Sequence, residues 1–405
     1  MKVTRIDTVR LSEFPSLLHV QVHTDEGLVG LGETFFHASA AAEHVHGAIA
    51  PYLLGQDARM IERHASMLRP YVGSASSGAE MRAASAIDIA LWDVCGQAQG
   101  QPIYQLLGGA FRDSIRTYNT CAGYRYVRAA STQTIGNWGL PDGSTQEGPY
   151  EDLDAFLHRA DELARDLLAE GITAMKIWPF DPYAEASGGH DISAADLDRA
   201  LEPFRKIRAA VGSEMDIMVE LHGLWDVAAA CRIVHALEPF DPYWIEDPVN
   251  VSSAAALAEV QRHTHVPIAA GETLTGLTPF RAMLAEGGAR IAIFDIGWVG
   301  GLGVARKVAV VAEAYDLPAA AHDCTGPVAY TAGTHLSMHA PNAIVQEHVR
   351  AFATGWYDEI VTDLPVIERG MARPPAGPGL GTRLRPELFE REGTTVRTST
   401  HRGRD

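Results

Sequence analysis

The chain has 405 residues, which is too long for one ordinary domain and suits a barrel with a smaller companion domain. Its net charge of −18 argues against nucleic acid and anionic membrane surfaces as partners. The opening MKVTRIDTVRL alternates like a strand rather than a signal peptide, no apolar run is long enough to span a membrane, and the four cysteines form no Cys-x-x-Cys pair. We therefore expect a cytoplasmic protein without disulfides.

Residues 1–113 are predicted to form an α+β domain. Residues 1–10 and Leu17–Thr24 alternate like strands, and a turn at 25–27 leads into LVGLGETF, which indicates a hairpin. Residues 38–70 are predicted to be helical, and Ala79–Gln99 carries apolar residues at helical spacing. The domain boundary is placed near residue 113, after a Gly-Gly pair.

Residues 114–350 repeat a unit of one strand and one helix. The strand 115–120 precedes a long stretch, 121–150, without clear periodicity, which is predicted to be functional or a lid. Helices are predicted over Tyr150–Gly171 and Ser193–Val211, with the strand Ala174–Trp178 between them. Six further strands give a total of eight strands and seven intervening helices. This pattern predicts an α/β fold built on a modified TIM barrel, (β/α)7β, after which residues 351–405 lose the periodicity and end in a frayed tail.

Each of the last six barrel strands ends in a charged or imidazole side chain. Right-handed crossovers bring the C-terminal ends of parallel strands to one face, where catalytic residues of closed barrels collect. These side chains are therefore predicted to share an active-site mouth. They belong to Glu220, Glu246, Glu272, Asp295, His322 and Glu347.

The first three of these residues predict a metal site. Carboxylates that converge from three consecutive strands repel one another unless a cation lies between them, and unpaired buried carboxylates are costly. Oxygen ligands at three corners suit Mg²⁺, which keeps positions open for water and for a bidentate substrate. We therefore expect Glu220, Glu246 and Glu272 to bind Mg²⁺.

Proton-transferring groups are predicted beside that metal. Asp295 and His322 end adjacent strands, and a carboxylate behind a histidine fixes the tautomer and raises the basicity that a general base needs. A protonated Glu347 could donate a hydrogen bond in a buried site. These three residues are the first catalytic candidates.

Two more catalytic candidates belong to neighbouring strands. His222 follows Glu220 by two residues and lies on the same side of that strand, either as a fourth ligand or as an acid/base group. Lys176 belongs to the second barrel strand, and its ammonium group suits a carboxylate or enolate oxygen of the substrate. Lys176 is therefore a candidate for both catalysis and substrate binding.

The ordered set of these residues resembles the enolase superfamily, and within it the mandelate racemase branch. The stretch ASAIDIALWDVCGQAQGQPIYQLLGG is similar to the segment that joins cap and barrel in that branch. The resemblance covers essentially the whole chain. It implies an N-terminal cap that residues 351–405 return to complete, Mg²⁺ on the three glutamates, and removal of the α-proton of a carboxylate substrate to give an enediolate.

Two departures from the racemase pattern favour a dehydratase. Racemases carry Lys-x-Lys on the second strand, whereas this chain has Lys176-Ile177-Trp178, so the second base is missing. His222 resembles the histidine with which acid sugar dehydratases, such as galactonate dehydratase, protonate the departing 3-hydroxyl group. The predicted product is a 2-keto-3-deoxy acid. An epimerase, racemase or cycloisomerase of a hydroxy or sugar acid is the alternative, and a catalytically silent binding protein is disfavoured by the intact glutamate set.

Several aromatic side chains are predicted to shape specificity. Trp178, Trp298 and Tyr124 are the substrate-binding candidates, together with Lys176. The run Gly297–Gly303 is glycine-rich but lacks the GxGxxG spacing, so a tight turn is expected there instead of a phosphate site. The expected partner is a small sugar acid, with no nucleic acid and no membrane, and the resemblance implies a homo-oligomer.

Overall fold

The computed structural model describes residues 1–68, 78–124, 126 and 150–400. Within these ranges an antiparallel sheet with helices caps a closed barrel of eight parallel strands. The predicted α/β class, with a (β/α)7β barrel and an N-terminal α+β cap, is confirmed. Most of the stretch predicted to be a lid, 121–150, lies outside the described residues. The domain boundaries at 113 and 350 stay a prediction.

The strands of the described chain are numbered in order. They are β1 Val3–Leu11, β2 Leu17–Thr24, β3 Val29–Phe35, β4 Ile115–Thr120, β5 Ala174–Ile177, β6 Asp216–Glu220, β7 Trp244–Glu246, β8 Ile268–Ala270, β9 Ile291–Asp295, β10 Ala319–His322, β11 Ala343–His348, β12 Val366–Glu368, β13 Met371–Arg373 and β14 Thr394–Thr400.

The α-helices are Ala38–His44, Ala50–Leu53, Ile61–Met67, Ala79–Gln99, Ile103–Leu106, Asp152–His158, Ala160–Ala169, Asp181–Ser187, Ala194–Ala200, Glu202–Val211, Val227–Leu237, Ala254–Arg262, Leu277–Ala285, Leu302–Ala314, Pro327–His339, Arg350–Phe352 and Asp358–Ile360. The predicted helix Ser193–Val211 is two helices, because Pro203 has no N–H to donate to the carbonyl group four residues before it and therefore lies in the first turn of a new helix. The predicted helix Tyr150–Gly171 also breaks, at Arg159, whose φ is −135°.

None of the described helices is both long enough and apolar enough to span a membrane.

The cap is a sheet with strand order β14-β1-β2-β3, covered by the helix Ala79–Gln99. The predicted hairpin is confirmed by the antiparallel pairing of β2 with β3. The prediction that the last nine residues are frayed is wrong as far as Thr400, because the strand Thr394–Thr400 pairs along β1. Its alternating Thr, Val and Ser residues favour an edge strand, and this signal outweighs proximity to the chain end. Residues 401–405 lie outside the described residues.

The barrel strands β4 to β11 pair in chain order, and β11 closes the barrel on β4. Every strand contributes at least one side chain to a buried interior cluster, so the barrel is a packed core. These side chains are Tyr118, Ala174, Met218, Trp244, Ala269, Ile291, Ile293, Ala320 and Val345. Since successive strand residues alternate between faces, a residue two positions beyond an interior residue also faces the barrel axis, at its C-terminal mouth.

The glycine-rich run Gly297–Gly303 is where the cap docks on the barrel. Three hydrogen bonds make this contact: Thr34 Oγ1 to Gly297 O at 2.7 Å, Gly300 N to Ser85 Oγ at 3.0 Å, and Gly303 N to Asp88 Oδ2 at 2.9 Å. Gly300 and Gly301 have φ values of 119° and 89°, and a Cβ at Gly301 would overlap the Asp88 side chain. The run therefore serves close packing of backbone against the cap helix, as the turn interpretation predicts.

Replacing Gly32 with Ala should destabilise the cap by about 3 kcal/mol. Gly32 faces the cap helix, and a Cβ there would overlap the carbonyl oxygen of Ala86. Gly47, also in the cap, has open space on all sides, with no heavy atom within 4 Å of the point that a Cβ would occupy. G47A should therefore stay within about 1 kcal/mol of the parent. Urea unfolding followed by circular dichroism measures both variants. Equal stability of G32A and G47A would contradict this packing.

Candidate active site

A cavity of about 170 Å³ opens where the barrel mouth meets the cap. Its lining combines strand-end side chains of the barrel with two side chains from the cap. The lining residues are Phe36, Arg82, Thr120, Tyr126, Lys176, Trp178, Glu220, His222, Glu272, Thr273, Trp298, His322, Cys324 and Glu347. The structure therefore brings most of the residues predicted from the strand ends to one site.

The strand alternation explains why these polar side chains point inward. Lys176, Glu220, Glu246, His322 and Glu347 each follow a member of the interior cluster by two residues. Asp295 obeys the same rule on β9. Glu272 instead comes two residues after β8 ends, beyond Gly271, whose φ of 120° turns the chain. On these six strands, the two-residue period of the β-strand by itself directs the polar side chains to one mouth.

The three glutamates form a compact oxygen-donor set. Glu220, Glu246 and Glu272 each offer an oxygen atom, and these atoms lie within 4.8 Å of one another. Among the described residues, Glu220 Oε2 and Glu246 Oε1 are buried and accept no hydrogen bond. Burial, together with repulsion from the neighbouring carboxylates, raises the pKa of Glu246 to about 8 and also raises that of Glu220. The set is short of positive charge and fits a hard divalent cation.

Lys176 partly neutralises this negative site. Its Nζ lies 3.0 Å from Glu246 Oε2, 3.1 Å from Glu347 Oε1 and 3.5 Å from Glu220 Oε2. Burial alone would lower the pKa of Lys176, but these carboxylates outweigh it and hold the pKa well above its usual value. Lys176 is therefore a fixed ammonium group at the cavity wall.

His322 and Asp295 form the predicted pair. His322 Nδ1 lies 2.8 Å from Asp295 Oδ2, and the two residues are direct neighbours in the β9–β10 register. His322 Nε2 faces the cavity and lies 3.2 Å from Glu272 Oε2. Burial lowers the pKa of His322, but the charges of Glu272, Glu347 and Asp295 more than reverse this and raise it. A cation on Glu272 would offset one of these charges.

His222 has a carboxylate partner that sequence reasoning missed. His222 Nδ1 lies 2.8 Å from Asp181 Oδ2, and Asp181 begins the helix after β5. The backbone N–H of His222 donates to Glu220 Oε1 at 2.7 Å, and its φ of 50° turns the ring into the cavity. Burial lowers the pKa of His222, but Asp181 and Glu220 raise it to about 10. This imidazole is positioned as a proton donor.

Glu347 is an acceptor in this arrangement. Its Oε2 accepts from the backbone N–H of Asp323 at 2.8 Å, and its Oε1 accepts from the hydroxyl group of Thr120. Burial raises the pKa of Glu347, but Lys176, His322 and these hydrogen bonds more than offset this and lower it. The geometry favours the carboxylate form over the protonated donor expected from the sequence.

Two of the three aromatic residues predicted to contact substrate line the cavity. Trp178 and Trp298 both line the cavity, and in the described chain neither indole N–H has a hydrogen-bond partner. Trp298 packs on His322 with ring centroids 5.2 Å apart. From the long stretch after β4, Tyr126 lines the cavity and Tyr124 does not, within the described residues. A substrate contact by Tyr124 stays a prediction.

Two further lining residues, Phe36 and Arg82, come from the cap and were not singled out in the sequence. Arg82 lies in the first turn of the helix Ala79–Gln99, three residues before Ser85, which contacts the glycine-rich run. Polar residues at 82, 85 and 88 of this helix were the available signal, because residues three apart share one helix face. For Asp181, the signal was an acid just beyond β5, ahead of a proline.

Comparisons with known proteins match two long segments of the chain. Residues 6–108 match the family model of the mandelate racemase / muconate lactonizing enzyme N-terminal domain, and residues 159–388 match that of the enolase C-terminal domain-like family. A D-galactonate dehydratase from Ralstonia nicotianae is 33% identical over 396 residues, covering 95% of this chain and 92% of the relative.

Solved structures resemble the whole chain. An enolase of the mandelate racemase subgroup from Agrobacterium tumefaciens is 48% identical, with a TM-score of 0.87 and 99% of both chains covered. An enolase protein from environmental sequencing of the Sargasso Sea is 44% identical, with a TM-score of 0.88 and the same coverage. The cap and the barrel are thus found together in these structures.

Replacing Asp181 with Asn should lower the pKa of His222 in the metal-free protein. The pKa should fall from about 10 toward the usual value of ~6.5, because Asp181 supplies the nearest stabilising charge. A pH titration of ¹³C-labelled histidine rings by NMR measures the change. D191N, at an exposed position in the following loop, is the control and should leave this titration in place. An unchanged pKa in D181N would show that Asp181 does not hold the proton on His222.

Proposed function

Because this chain belongs to the mandelate racemase and muconate lactonizing enzyme family of the enolase superfamily, we propose that it is a Mg²⁺-dependent dehydratase of a sugar acid. The observation that supports this proposal is a pair of imidazoles in one cavity, at the two ends of the glutamate set. Each imidazole is paired with a carboxylate. Removing a proton and expelling a hydroxide need one base and one acid. The cavity offers both.

The chain is an enzyme of the lyase class, since curated relatives over nearly its whole length are named dehydratases. Those relatives are D-galactonate dehydratases at about 30% identity. Their name supports a sugar acid as the substrate of this chain.

Glu220, Glu246 and Glu272 are the residues that would hold Mg²⁺. When bound, the ion would supply a Lewis acid that stabilises negative charge on the carboxylate oxygens of the substrate. Lys176, fixed by Glu246 and Glu347, directs its ammonium group at the same end of the substrate. Together these residues would hold the C1 carboxylate at the strand ends of β5 to β8.

His322 is proposed as the base that removes the C2 proton. Asp295 holds the imidazole through Nδ1, which leaves Nε2 facing the cavity as the acceptor. As the proton moves to Nε2, charge builds on the C1 oxygens, where Lys176 lies ready to stabilise it. Glu347 orients Lys176 and the Asp323 backbone during this change.

His222 is proposed as the acid that protonates the 3-hydroxyl as its C–O bond breaks. The electron pair of the enediolate then forms the C2–C3 double bond, water leaves, and the enol becomes a 2-keto-3-deoxy acid. Asp181 keeps His222 charged until that transfer. Trp178, directly after β5, occupies the position where the racemases that this chain resembles have their second lysine, so no base faces His322 from that position.

An epimerase, racemase or cycloisomerase remains the alternative, with His222 returning a proton to carbon. The protonated His222–Asp181 pair suits departure of a hydroxyl group better, because hydroxide is a poor leaving group without a proton donor. The products separate the two functions. Semicarbazide traps the 2-keto acid of a dehydration, whereas epimerisation gives none.

Replacing the two histidines should separate the two steps. H322N should lose exchange of the substrate α-proton in D₂O by a factor of about 10²–10⁴. H222N should keep this exchange but lose 2-keto acid formation by a similar factor, because proton removal does not need the acid. NMR follows exchange and semicarbazide follows product. H190N, at an exposed histidine, is the control. Exchange at the parent rate in H322N would refute the base assignment.

Adding Mg²⁺ to the metal-free protein should raise its melting temperature. Binding to the folded state alone contributes about 2.7 kcal/mol at a 100-fold excess over Kd. E246Q should lose most of this increment, because it replaces a carboxylate with a neutral amide and removes the charge that raises affinity for the ion. E286Q, on an exposed helix end, should keep it. A full Mg²⁺ increment in E246Q would contradict the proposed metal site.

A further inference from the structure

We infer that Arg82 binds a second carboxylate at the far end of the substrate, so that the preferred sugar acids are dicarboxylic aldarates. This inference rests on the proposed dehydratase function and names its substrate class. It concerns the cap side of the cavity, which the proposed chemistry leaves unused. Arg82 is positioned there by the docking of the cap on the glycine-rich run of the barrel.

The guanidinium group of Arg82 is fixed but only partly engaged. Its Nη1 donates to the carbonyl oxygen of Phe35 at 2.7 Å, and its Cζ lies 4.5 Å from the ring centroid of Trp298. Its Nε is buried and has no hydrogen-bond partner in the described part of the chain. The guanidinium group is therefore held rigidly by an aromatic face and a backbone acceptor at the cavity wall, and the described residues leave part of its donor capacity unused.

A cation in this position needs an anionic partner. Among the described residues, no carboxylate oxygen lies within 4.0 Å of Arg82, although Asp295 and Glu272 act on it from a greater distance. Burial lowers the pKa of Arg82 to about 10, which reflects the cost of a charge without a close partner. The planar edge of a guanidinium matches a carboxylate in two parallel hydrogen bonds.

The two ends of the cavity then differ in what they bind. Lys176 and the glutamate set receive the carboxylate next to the reacting carbon, while Arg82 comes from the cap on the side of Trp298. An aldonate has one carboxylate and would leave Arg82 facing a neutral hydroxyl group. An aldarate has a carboxylate at both ends and would pair both cations. Galactonate, named for the relatives, has only one carboxylate, so this chain would differ from them in substrate.

The test compares an aldarate with the aldonate of the same chain length and configuration. With Mg²⁺ present, 2-keto acid formation should give a higher kcat/KM for the aldarate in the parent enzyme. R82Q should reduce the ratio of the two kcat/KM values on the order of 100-fold, mainly through KM of the aldarate, because it removes one partner of a buried charge pair. R82K keeps the charge and the packing stem but lacks the fork, so it should recover only part of the ratio.

R63Q is the matched control, since Arg63 is an exposed cap arginine that does not line this cavity. It should keep the parental ratio. An aldonate used as well as the aldarate, or an equal loss on both in R82Q, would overturn the inference and leave the dehydratase function intact. A phosphorylated aldonate used faster than the aldarate would overturn the carboxylate assignment. A 2-keto acid from no sugar acid tested would overturn the proposed function as well.

Discussion

An excess of buried negative charge at the barrel mouth is the constraint on which the site depends. Glu220, Glu246 and Glu347 surround the ammonium group of Lys176, and Glu272 lies beside the first two. Burial of this many carboxylates costs free energy unless cations are supplied, and one lysine cannot balance them. The folded chain therefore favours binding of a divalent ion, and without such an ion the same negative charge favours protonated imidazoles. This excess of negative charge therefore links metal binding, histidine protonation and substrate binding.

The two imidazoles lie at opposite ends of the glutamate set. His322 contacts Glu272 on the β8 side, whereas His222 follows Glu220 on β6. Their carboxylate partners also differ in origin, because Asp295 is the strand neighbour of His322 and Asp181 lies on a helix. Two proton-transfer groups that are held separately can act on two different atoms of one substrate. An elimination requires this separation, because the proton and the hydroxyl group leave from adjacent carbons.

The strand-end residues could be predicted because the β-strand period is fixed and right-handed crossovers align the strand ends. Lys176, His322 and their companions follow from these two rules alone. Asp181 and Arg82 could not be found in this way, since each reaches the cavity from a helix whose orientation depends on tertiary packing. The strand Thr394–Thr400 was missed although its local sequence favours a strand, because its partner β1 lies far from it along the chain. Local patterns thus predict the chemistry better than they predict the walls of the cavity.

This division has a consequence for how such a site changes its substrate. The charged set belongs to the barrel, where each side chain is fixed by strand register and by several buried partners. The cap contributes Arg82 and Phe36, and it is held to the barrel by backbone contacts of the glycine-rich run. A substitution at Arg82 removes none of the groups that move protons, whereas one at Glu246 changes the charge balance of all of them. Binding of the distal end of the substrate is therefore free to vary while α-proton removal stays fixed by the barrel.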